Sequence, residues 1–71
     1  MTHENRTESA RIALDSFVRM QGLRVEREFA LIDLITDLLH LAEQEGLDAQ
    51  DIARKADLHY RVEALPFHMA A

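Results

Sequence analysis

Apolar residues recur at intervals of three and four in three separate stretches of this chain, and no stretch alternates apolar with polar residues as a half-buried strand does. In the first stretch Ala10, Ala13, Leu14, Phe17, Val18 and Met20 share one side, with Arg11, Asp15 and Arg19 opposite and only Ile12 outside the pattern. Thr7 stands where a cap belongs and Glu8 where the first turn favours negative charge, so a helix is expected over about 8–21, closing near Gly22. The polar segment Met1 to Arg6 is expected to fray.

The second stretch predicts a helix over about 26–45. Its core-facing set is Leu31, Ile32, Leu34, Ile35, Leu38, Leu39, Leu41 and Ala42, with Phe29 apart near its start. At about 100° per residue this set covers close to half the circumference, more than one neighbouring helix can dry. Gly46 fits the left-handed residue that closes a helix, and Leu47 can supply the accompanying apolar contact. Asp48, three residues before Asp51, then reads as the cap of a third helix over about 49–65.

On that third helix Ile52, Ala53, Ala56, His59 and Tyr60 form the main face and Leu58, Val62 and Leu65 a second line. His59 is expected to be buried and hydrogen-bonded beside Tyr60. Pro66 is expected to stop the helix, because proline lacks a donor and restricts the residue before it. The tail from Phe67 is expected either to be disordered or to fold back through Phe67 and Met69. The pattern as a whole predicts an all-α fold of one domain, residues 1–71: three helices with short connections, packed as a bundle.

Size sharpens this reading. A chain of 71 residues without cysteine has no disulfide or thiolate metal site to reinforce a small core. Self-association is the remaining route, and a homodimer is expected, with Phe17, Met20, Leu31, Leu34, Leu38 and Leu41 at its interface. The net charge of −5 repels phosphate backbones and the basic residues are scattered, so direct nucleic-acid binding is not expected. No apolar run is long enough to span a bilayer and the N-terminus lacks a secretory pattern, which places the expected location in the cytoplasm, away from membranes.

The candidate chemistry is confined to a stripe. Asp33, Asp37, His40 and Gln44 project within about 60° of one another, opposite Ile35 and Ala42. Carboxylates and imidazole ligate divalent cations, so Asp33, Asp37 and His40 are candidate ligands for magnesium or manganese. One helix cannot close such a site, because its turns are about 5.4 Å apart and further ligands must come from elsewhere. The competing reading is a solvated helix face with no cofactor. No Ser-His-Asp elbow, phosphate loop, zinc-protease or calcium-loop motif is present.

The block from Asp33 to Tyr60 carries Asp33-Leu34, Asp37-Leu38, His40, Gly46-Leu47-Asp48 and Ala56-Asp57-Leu58-His59-Tyr60. In this it resembles a family of small, uncharacterised bacterial helical proteins, many borne on plasmids and other mobile elements. That resemblance implies a helical accessory protein without naming an activity. A looser resemblance is to the all-helical nucleoside triphosphate pyrophosphohydrolases of the MazG type, whose metal helix carries Glu-x-x-Asp before a Gly-x-Asp turn. Asp37, Gly46 and Asp48 match that pattern, but Leu34 stands at the Glu position and Asp33 is turned about 100° away. The second resemblance implies a dimer-forming helical fold and argues against intact magnesium chemistry.

Three functional classes follow. The favoured one is a non-enzymatic protein acting through protein contacts in an accessory or regulatory role, with itself or an unidentified protein as partner. The others are a degenerate nucleotide-binding or pyrophosphohydrolase-like protein, and an acidic inhibitor or antitoxin that covers a basic site.

Overall fold

The computed structural model describes residues 3–22 and 25–69, with side chains in 6–22 and 25–64. It is all-α, with α1 at His3–Gln21, α2 at Arg27–Gln44 and α3 at Ala49–Met69, and no strand among the described residues. None of these helices is long and apolar enough to cross a membrane.

Two boundaries differ from the sequence expectation. α1 starts at His3, so Thr7 lies inside the helix rather than capping it and the polar segment up to Arg6 is helical from residue 3. That segment holds neither proline nor glycine, and nothing in it opposes extension of the helix toward the N-terminus. α3 likewise runs through Pro66 to Met69. A proline inside a helix removes its own donor and crowds the carbonyl four residues back, but an otherwise helix-forming sequence on the preceding side can carry the helix across it. The expected tail is therefore helical to Met69, while the fold-back of Phe67 and Met69 side chains lies outside the described residues.

The chain forms two compact units, residues 1–37 and 38–71, and α2 runs through both. In the first unit Leu14 of α1 and Ala30 of α2 form the buried core, 3% and 0% exposed. Ala30 has no side chain beyond Cβ to hold the helices apart. Asp15, Ser16, Phe17 and Val18 of α1 and Leu34 of α2 are half-buried in the same unit. Arg27 donates to Asp15 at 2.7 Å, tying the start of α2 to the middle of α1. α1 closes at Gly22, whose N–H donates to the Arg19 carbonyl at 3.3 Å.

In the second unit the connection from α2 to α3 is written in backbone chemistry. Gly46 takes φ 79°, its N–H donates to the Glu43 carbonyl at 3.0 Å, and the Leu47 N–H donates to the Ala42 carbonyl at 2.9 Å. These two bonds are the pair that satisfies the last carbonyls of a helix in a Schellman turn. The Asp48 carboxylate then accepts from the Asp51 N–H at 3.0 Å, and the Asp48 carbonyl from the Ile52 N–H at 3.0 Å. Both are the bonds of a helix N-cap. Ala42 is buried, with Leu39, Ala49 and Ala53 half-buried nearby in sequence around this turn.

The expectation for His59 does not hold. His59 is exposed and Tyr60 is 69% exposed, as are Ile52 and Ala56 on the same face. Helical periodicity identifies a face that could be buried, but whether another element lies against it is decided by tertiary packing.

The turn supplies a direct test. A Cβ added at Gly46 meets nothing within 4 Å, so only the left-handed backbone opposes substitution. Gly46→Ala is expected to lose about 1 kcal/mol of stability, read as a lower urea midpoint at unchanged slope. An unchanged midpoint would mean that the turn is not held in this conformation.

Candidate functional site

Asp33, Asp37, His40 and Gln44 all lie exposed along α2. Helix geometry puts them on one side, but among the described residues no second element adds a ligand. Among the described residues no group of three histidine, aspartate, glutamate or cysteine side chains converges where one ion could be shared. The stripe as it stands is a water-facing row of separate polar groups.

Among the described residues several arginines pair with nearby carboxylates. Besides Arg27 with Asp15, Arg61 pairs with Asp57 at 2.9 Å, and Arg11 pairs with Glu8 at 2.6 Å. A charge cluster opens α3. Lys55 reaches the Asp51 carboxylate at 2.9 Å and Arg54 reaches it at 2.6 Å. These two donors, Lys55 first, hold the Asp51 carboxyl below its ordinary value, and the same contact raises Lys55. The arrangement serves the helix: a carboxylate in the first turn faces the positive end of the dipole and two cations follow it.

The first unit also carries a shallow groove of about 200 Å³ between α1 and the first half of α2. Thr7, Ala10, Arg11, Leu14, Arg27 and Leu31 line it. Its floor is apolar, and both guanidiniums at its rim are already turned to carboxylates, Arg11 to Glu8 and Arg27 to Asp15. It holds no paired carboxylates, no histidine and no nucleophile beside a base.

What distinguishes the surface is its apolar content. Among the described residues the buried hydrophobic ones are Leu14, Ala30 and Ala42, two of them alanines. On α2 alone Phe29, Leu31, Ile32, Ile35, Leu38 and Leu41 are each between 47% and 55% exposed. Of the residues that the sequence proposes for an interface, Leu31, Leu38 and Leu41 belong to this set and Met20 is 86% exposed. Phe17 and Leu34 are half-buried, in the unit where α1 meets the first half of α2. Phe29, Ile32 and Ile35 were not among the proposed interface residues. The signal that finds them is spacing: positions 29, 32, 35, 38 and 41 form one row of every third residue, a ridge on a helix surface.

Compared with models of known families, with curated proteins and with solved structures, the chain matches none.

The charge cluster makes a pH prediction. Asp51 titrates lower in the folded chain than in the unfolded one, so its contribution is complete above the ordinary carboxylate range and is lost as pH falls through the depressed value. Asp51→Asn removes that dependence. Its urea midpoint is expected to fall less than that of the parent between about pH 6 and about pH 3, and equal losses in the two proteins would show that Asp51 carries no such linkage.

Proposed function

We propose that this chain works through protein–protein contact, as a small helical module whose apolar surface is completed by another polypeptide, in an accessory or regulatory role without catalysis. The observation that supports this is the row of half-exposed leucine, isoleucine and phenylalanine side chains on α2, while the buried hydrophobic residues among those described are one leucine and two alanines. Burying the exposed half of such a side chain is worth about 1 kcal/mol. Left in water, a contiguous apolar surface of this kind is a hallmark of a docking site.

The net charge of −5 fits the same role. It keeps an apolar-faced chain from unspecific clustering, and it suits a protein surface better than a phosphate backbone as a partner. Asp33, Asp37 and His40 lie on the side of α2 opposite Ile35 and keep that side in water.

A dye that fluoresces on apolar surface tests the reading with the isolated chain in dilute solution. Strong dye binding by a helical chain, with fluorescence falling as chain concentration rises or a partner is added, is the expected result. A chain that remains at 8.2 kDa, binds no dye and unfolds cooperatively would have closed its surface within itself, and the proposal would fail.

A further inference from the structure

We draw no further inference here: the strongest candidate, the groove between α1 and the first half of α2 with Arg11 and Arg27 at its rim, carries nothing, because both guanidiniums are already paired with carboxylates and nothing in the structure shows what covers its apolar floor.

Discussion

α2 has to serve two packing neighbours with one set of side chains. In the first unit Ala30 is buried on α2 as Leu14 is on α1, and in the second Ala42 is buried just before the turn into α3. Both buried positions on α2 are alanines, which remove little apolar area from water. The larger residues of α2 stand between and beside these two points. Phe29, Ile32, Ile35, Leu38 and Leu41 are therefore left half in solvent, and the remaining features of the chain follow from that surplus. A 71-residue chain buries a modest share of its surface even when well packed. One that leaves its larger apolar side chains half in water draws much of its stability from local helix chemistry.

That local chemistry is substantial and is the part most legible in sequence. Three helices, and the lack of any strand among the described residues, follow from apolar spacing alone. The turn between α2 and α3 needs only one glycine that accepts φ 79° and one aspartate that reaches an N–H three residues on. Both are properties of a few consecutive residues, so a one-dimensional string carries them. The helix ends that sequence misplaces are those where a weak signal stood in for a stop. Thr7 resembles a cap but nothing before it breaks the helix, and Pro66 removes one donor without ending α3.

Exposure is less legible because it belongs to pairs of elements. His59 and Tyr60 lie on the face of α3 that periodicity marks as apolar, yet both face water. The same holds for Ile32 and Ile35, whose place in a half-circumference apolar set gives no means of telling a covered flank from an open one. The polar stripe shows the converse. Asp33, Asp37 and His40 align by helix geometry, but a metal centre needs ligands from further elements, and helical spacing on one element is silent about those.

If the central claim is right, the open face of α2 is the part of the chain whose solvent contact changes when another polypeptide docks. Methyl resonances of Ile12, Ile32 and Ile35, read in the presence of a soluble paramagnetic agent, measure that contact residue by residue. All three side chains are at least half exposed in the isolated chain. As the chain is concentrated from dilute solution or a partner is added, broadening by the agent is expected to decline for Ile32 and Ile35 and to persist for Ile12. Equal broadening of all three methyl groups throughout would contradict the account.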